Sequence, residues 1–219
     1  MRNPFNPNQT LFLEPTYKGL PVQTSQGPLV LEYLDDLDRL FVNAARQYSR
    51  LYVVRLDLRF RAGDDLPDIA RTNIPIREFL RSLRAKLNHK DSMTLKRTGR
   101  KNNHGMRYAW AREIGSDSQR PHYHLLLILN GDAYRSLGNY RDAEQPGLYR
   151  RCQEAWASAI GQPFDLAEGL VSVVPNGQWN LNHRTQEAFR DAFFAASYLC
   201  KARSKVFELG FHGFRCSRE

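Results

Sequence analysis

The sequence predicts an α+β domain, on three observations. Helical periodicities alternate along the chain with short strand-like runs, so neither type of element is confined to one half. Two of the strand-like runs, 106–114 and 120–130, lie one short turn apart, as a hairpin requires. The resulting order is helix, strand, helix, hairpin, helix, strand, helix, which suits layers packed about a common core.

Composition sets the frame. The 219 residues suffice for one large domain with a sizeable core, and 42% hydrophobic with 25% charged residues is ordinary for a folded chain. Net charge is +9, from 32 Lys and Arg against 23 Asp and Glu, which points to a polyanionic partner and first of all to nucleic acid. Three cysteines without close spacing, Cys152, Cys200 and Cys216, argue against a disulfide framework or a cysteine zinc site, and for a reducing cytosol. No run of 18 apolar residues and no signal-peptide pattern is present, so neither a membrane span nor export is expected.

Residues 1–28 carry five prolines and little apolar periodicity and are expected to form an extended N-terminal arm; residues 29–219 form the domain. Residues 29–49 place Val30, Tyr33, Leu34, Leu37, Leu40, Phe41 and Ala44 at steps of three and four, the stripe of an amphipathic helix. Residues 51–60 alternate from Val54 on, with Leu56, Leu58 and Phe60 on one face and Arg55, Asp57 and Arg59 on the other, as suits a strand with a working face. A second helix over 75–88 carries Ile76, Phe79, Leu80, Leu83 and Leu87 on one side and Arg77, Arg81, Arg84 and Lys86 on the other. The stretch 96–105 has no apolar residue and reads as a mobile loop, whose Lys96, Arg97, Arg100 and Lys101 are candidate phosphate contacts. Beyond the hairpin, 147–160 forms a helix ended by Gly161, and 170–174 a short strand closed by Pro175-Asn176-Gly177. Thr185 then caps a last helix over 186–202.

The chemistry gathers at two places. His122 and His124 stand two residues apart on the second hairpin strand, so both imidazoles face the same way and can share one ion. The hairpin brings Glu113 beside them. Two imidazoles and a carboxylate suit Mg²⁺ or Mn²⁺, and Zn²⁺ is chemically acceptable. The bland alternative is a pair of core histidines with an exposed edge glutamate. On the last helix, Tyr198 shares a stripe with Lys201 and Lys205, three and seven residues on. Alone, this is the pattern of a tyrosine beside lysines that complement a helix end.

Together these motifs resemble the HUH endonucleases. Pro121-His122-Tyr123-His124 followed by 125–129 is similar to their histidine-hydrophobe-histidine motif, and Tyr198-Leu199-Cys200-Lys201 to their Tyr-x-x-Lys nucleophile motif. The order of the two motifs matches the rolling-circle replication initiators. The block 197–201 and the tail 211–217 are similar to the replication proteins of inovirus-type filamentous phages. The resemblance implies a central antiparallel sheet with flanking helices, an RRM-like core. It implies metal-dependent nicking and joining of single-stranded DNA, with His122, His124 and Glu113 on Mg²⁺ or Mn²⁺, one nucleophile, Tyr198, forming a 5′-phosphotyrosine, and Lys201, with Lys205 in support, orienting the phosphate. It further implies a replication-origin strand or hairpin as substrate, host helicase and polymerase as partners, and the bacterial cytoplasm as location. A DNA-binding regulator without catalysis and a cupin-like metal enzyme for a small molecule are the competing readings; in cupin-like sites, however, the Glu follows the histidines in an almost all-β chain.

Overall fold

The structure, a computed structural model, describes residues 1–63, 65–115, 119–139, 146–203 and 211–218. In chain order the strands are β1 (Arg2–Asn3), β2 (Asn6–Phe12), β3 (Thr16–Tyr17), β4 (Leu20–Pro21) and β5 (Leu29–Val30), leading into helix α1 (Leu31–Gln47). Then follow β6 (Arg50–Arg59), α2 (Ile74–Thr98), β7 (Arg107–Ile114), β8 (Pro121–Asn130), α3 (Leu148–Ile160), β9 (Val171–Asn182), α4 (Gln186–Ser197) and β10 (Phe214–Cys216). The protein is a mixed helix–sheet chain with a five-stranded antiparallel sheet in the order β10-β7-β8-β6-β9.

Strand alternation divides the side chains of this sheet between two apolar layers. Tyr52, Val54, Leu56 and Leu58 of β6 and Tyr123, Leu125, Leu127 and Leu129 of β8 pack with Ile76, Phe79 and Leu83 of α2 and Trp156 of α3. On the opposite face Leu51 and Val53, Ala109 and Ala111, and Leu126 and Ile128 pack with Leu37 and Phe41 of α1 and Phe193 of α4. Because β8 is covered on both faces, its sequence is an unbroken apolar run rather than an alternating one. At one end of the second face a cluster of charged and imidazole groups replaces the apolar residues: Arg55, Asp57, Glu113, His122 and His124 continue the rows begun by the core residues. The sheet therefore sets these groups on a rigid floor.

Several expectations need correction. The first 28 residues form ordered short strands: Tyr17 and Val22 are buried, and Gln23 N–H donates to Ser197 Oγ at 2.8 Å, which ties the segment to α4. Helix α2 continues ten residues beyond the expected end at 88, to Thr98, so Lys96 and Arg97 are helical and only the residues after Gly99 lie in the loop. The apolar stripe stops at Leu87, but no proline follows before the helix end, Lys90, Met93, Leu95, Lys96 and Arg97 are good helix formers among weaker ones, and Gly99 at φ 68° provides the left-handed stop. Residues 170–174 do not end at the Pro-Asn-Gly signal. They belong to the 12-residue β9, whose register against β6 steps from Val54↔Gln178 to Leu56↔Val173, leaving 174–177 as a bulge with Asn176 at φ 55°. The last α-helix stops at Ser197, and Tyr198–Cys200 form a 3₁₀ turn. Lys205 lies outside the described residues.

Candidate functional site

Three paired strands assemble the polar cluster. The register sets Glu113 opposite His122, and His124 opposite both Ala111 and Asp57, so the carboxylates of β6 and β7 flank the imidazoles of β8. Glu113 Oε2 lies 3.4 Å from His124 Nε2 and 4.0 Å from His122 Nε2, with Glu113 and His124 deeply buried. One ligand atom from each of Glu113, His122 and His124 falls within 4.8 Å of the others, so the three form a buried group able to hold a metal ion.

The donor set fits such an ion. His124 Nδ1 is 2.6 Å from Asp57 Oδ1; an ionised carboxylate only accepts, so Nδ1 carries a proton, and in the neutral ring Nε2 is then the nitrogen with the free lone pair. That Nε2 is buried and makes no hydrogen bond, although it points into the Glu113 group. An outer carboxylate that orients a ligating imidazole is the usual second layer of a metal site. Burial, and then the neighbouring His124, hold the His122 pKa below the usual histidine range, which favours the neutral, ligating form. Burial works to raise the Asp57 pKa, but the hydrogen bond and charge of His124, together with Arg55 and Arg59, outweigh it and bring the pKa below the usual carboxylate value.

Tyr198 and Lys201 enter from above the sheet. Lys201 Nζ donates to the Tyr198 hydroxyl at 2.6 Å and pairs with Glu113 Oε2 at 2.8 Å, so one ammonium joins the phenol to the metal-competent group. The 3₁₀ turn makes this possible by tightening the chain between the two residues. The backbone beyond it is fixed by a bridge between Lys201 and Leu29 and by Ala202 N–H donating to Pro28 at 2.9 Å. The Tyr198 ring stands edge-on to His124, with centroids 5.0 Å apart, and Arg55 Cζ lies 4.9 Å from its centre. Arg55 is buried and donates to the Ala195 carbonyl at 2.9 Å.

The structure thus gathers Glu113, His122, His124, Tyr198 and Lys201 in one place. Lys96, Arg97, Arg100 and Lys101 are not brought there. The chain beyond them, at His104, accepts from Asn130 N–H at the far end of β8, whereas the histidines occupy its beginning. A ten-residue strand separates the two ends by about 30 Å. The sequence reading missed Arg55, Asp57 and Arg59 as site residues. Their signal was the charged face of β6; what it lacked was the partner, since only the register puts Asp57 beside His124.

Fold and cluster define an α+β protein with a carboxylate–dihistidine group beside a tyrosine–lysine pair. The chain belongs to the YagK/YfjJ C-terminal domain family, whose model matches residues 12–217. It is 31% identical over 207 residues to the uncharacterized protein YfjJ of Escherichia coli K12, covering 88% of this chain and 96% of that one. It is 30% identical over 211 residues to the uncharacterized protein YagK of the same organism, covering 93% and 98%. No solved structure matches the chain. Among the described residues no helix is long and apolar enough to cross a membrane.

Proposed function

We propose that the protein is an HUH-type endonuclease and strand transferase that nicks single-stranded DNA and initiates rolling-circle replication of a phage or mobile element in a bacterial cytoplasm. The observation that carries the reading is the Tyr198–Lys201–Glu113 chain of contacts, which puts one phenol beside a group able to hold a metal. The β-α-β-β-α-β succession from β6 to β9 and the order β7-β8-β6-β9 agree with an RRM-like core.

Glu113, His122 and His124 would hold Mg²⁺ or Mn²⁺, which when bound would polarise the scissile phosphate and offset its charge. The Tyr198 oxygen would attack phosphorus and expel the 3′-oxygen of the preceding nucleotide. The phenol proton passes to solvent and the departing 3′-oxygen takes one up. This leaves a 5′-phosphotyrosine and a free 3′-hydroxyl for a host polymerase to extend after a host helicase has opened the duplex. Lys201 offsets charge at the attacking oxygen, and Arg55 and His124 hold the ring in place. The phosphodiester energy kept in the tyrosine ester allows the strands to be rejoined.

A covalent-trapping assay tests this. The protein is incubated with Mn²⁺ and a randomised pool of single-stranded oligonucleotides, denatured, and any adduct is digested and mapped by mass spectrometry. The expected result is a nucleotide on Tyr198. No adduct, or one on another residue, overturns the proposal.

A further inference from the structure

Away from the metal-competent group, a hollow of about 730 Å³ opens between the N-terminal half of α2 and strand β10. That volume is typical of a small-molecule cleft. Its walls are unlike the rest of the surface. Trp110, Ile76 and Leu80 make an apolar floor, and Phe211, 37% exposed, stands at the wall. Arg77, Arg81, Arg84 and Arg215 line it as well, while among the described residues no carboxylate does. Glu78 pairs with Arg77 at 3.2 Å and Arg81 at 2.6 Å, yet these guanidinium side chains remain 70% and 81% exposed. Within the hollow Asn73 donates from Nδ2 to the His212 carbonyl at 3.0 Å, and its Oδ1 is buried with no hydrogen-bond partner. The amide orientation is set by that carbonyl, so the orphan is an acceptor.

A second hollow of about 480 Å³ shares Arg84, Tyr108 and Arg215 with the first and continues along the β7–β10 edge. Next to the first hollow, the Gly213 carbonyl accepts from Arg112 N–H at 2.9 Å, one residue before Glu113 in the chain. The trough therefore lies on the face of β7 opposite the candidate site, near the strand end that carries Glu113, and leads away along the sheet edge with arginines in both hollows.

We propose that the first hollow takes an unpaired base of a single-stranded DNA, stacked against Phe211 over the Trp110 floor, with Asn73 Oδ1 accepting from an exocyclic amine. Arg77, Arg81, Arg84 and Arg215 contact the phosphates on either side. The chemistry favours this occupant over an apolar peptide, because an apolar floor with an exposed aromatic ring, rimmed by exposed guanidiniums, matches a base between two phosphates. An acceptor-only amide oxygen also discriminates: adenine, cytosine and guanine offer an amine, and thymine offers none on its exocyclic positions. The choice of DNA rests on the endonuclease reading above; the pocket itself rests on its own residues.

The test measures binding without metal, so that cleavage plays no part. Fluorescence anisotropy with labelled ten-nucleotide oligo-dA, oligo-dC and oligo-dT is compared for the wild type, Phe211→Ala, Asn73→Ala and the double variant R77A/R81A, all on partly or fully exposed side chains. Loss of one stacked base should raise Kd about tenfold for Phe211→Ala. R77A/R81A should weaken binding and flatten its salt dependence, and Asn73→Ala should remove a preference for dA and dC over dT. Photo-crosslinking of a 5-iodocytosine-substituted strand, which keeps the exocyclic amine, should label a peptide containing Phe211 or Trp110. Wild-type Kd values in all three variants, or a crosslink confined to other peptides, would overturn the pocket even if the protein nicks DNA. Pocket-dependent binding by a protein that forms no Tyr198 adduct would sustain the pocket and refute the endonuclease.

Discussion

Asp57 Oδ1 and His124 Nδ1 face each other at 2.6 Å across two antiparallel strands, a contact made between neighbouring backbones rather than by a loop. This leaves the lone pair of Nε2 directed at Glu113 and His122. Removing the outer carboxylate by Asp57→Ala should therefore weaken Mn²⁺ binding about 10–100-fold while the fold persists. Isothermal titration with Mn²⁺, alongside circular dichroism, checks this. An unchanged affinity would separate Asp57 from the orientation of the imidazole.

Tyr198→Phe deletes one oxygen and keeps the ring that touches His124 and Arg55. The expected variant binds single-stranded DNA like the wild type and forms no covalent adduct, as read on a denaturing gel. Cleavage without an adduct in the wild type would instead assign the attack to water.

The ligand residues themselves give a third expectation. His122→Ala combined with His124→Ala removes both imidazoles from a group whose atoms lie within 4.8 Å of one another, and should bring cleavage to background. Chelator-treated wild type should lose cleavage in the same way and regain it with Mn²⁺ or Mg²⁺. Full activity in excess chelator would remove the metal from the mechanism.

Much of this was legible from periodicity. The two-residue spacing of His122 and His124 placed both on one strand face, and the hairpin placed Glu113 beside them, because local pairing follows from short turns. What was not legible came from non-local register. Asp57 meets His124 across 67 residues of sequence, and no pattern within β6 specifies that β8 is its neighbour. Boundaries failed where one signal was taken for the whole cause. Pro175-Asn176-Gly177 carries a turn signature, yet Val171–Asn182 gains enough pairing with β6 on both sides to absorb it as a bulge. Helix α2 outlasts its apolar stripe because no proline interrupts it and a glycine cap closes its end. The placement of Arg77, Arg81 and Arg84 against β10 depended on the tail returning to the sheet edge, which is again a long-range contact.

His104 gives a pH expectation independent of the site. It is buried, its Nδ1 accepts from Met106 N–H at 2.8 Å, and its Nε2 is 2.9 Å from Asn88 Oδ1, an arrangement that uses the neutral ring. Burial lowers its pKa below 6.5. Below about pH 6.5 the unfolded chain takes up a proton that the folded chain resists. The stability contribution is thus complete above that pH and is lost as pH falls toward the lowered folded value. Thermal melts from pH 7.5 to 5 should show a decline that is shallower in His104→Gln; equal slopes would place the titration elsewhere.

Lys201 tests whether the ammonium holds the place of positive charge in the cluster. Its Nζ is 2.8 Å from Glu113 Oε2, and the two side chains are 10% and 3% exposed. Breaking a buried pair by removing one partner costs about 3–5 kcal/mol, because a charge stays buried without its counter-ion. Glu113 keeps further interactions, so Lys201→Met should fall at the lower end, about 3 kcal/mol. In a chain of this size that lowers Tm by about 6–12 °C. A divalent ion bound by Glu113, His122 and His124 would supply the missing charge. Saturating Mn²⁺ should therefore raise the Tm of Lys201→Met by more than that of the wild type, where the ammonium competes for the same carboxylate. Cleavage by the variant should be slower than wild type, with the adduct still on Tyr198, since Lys201 offsets charge there without forming the bond. An unshifted Tm would show that the ion pair contributes nothing to stability. Equal Mn²⁺ shifts in both proteins would place the ion away from Glu113.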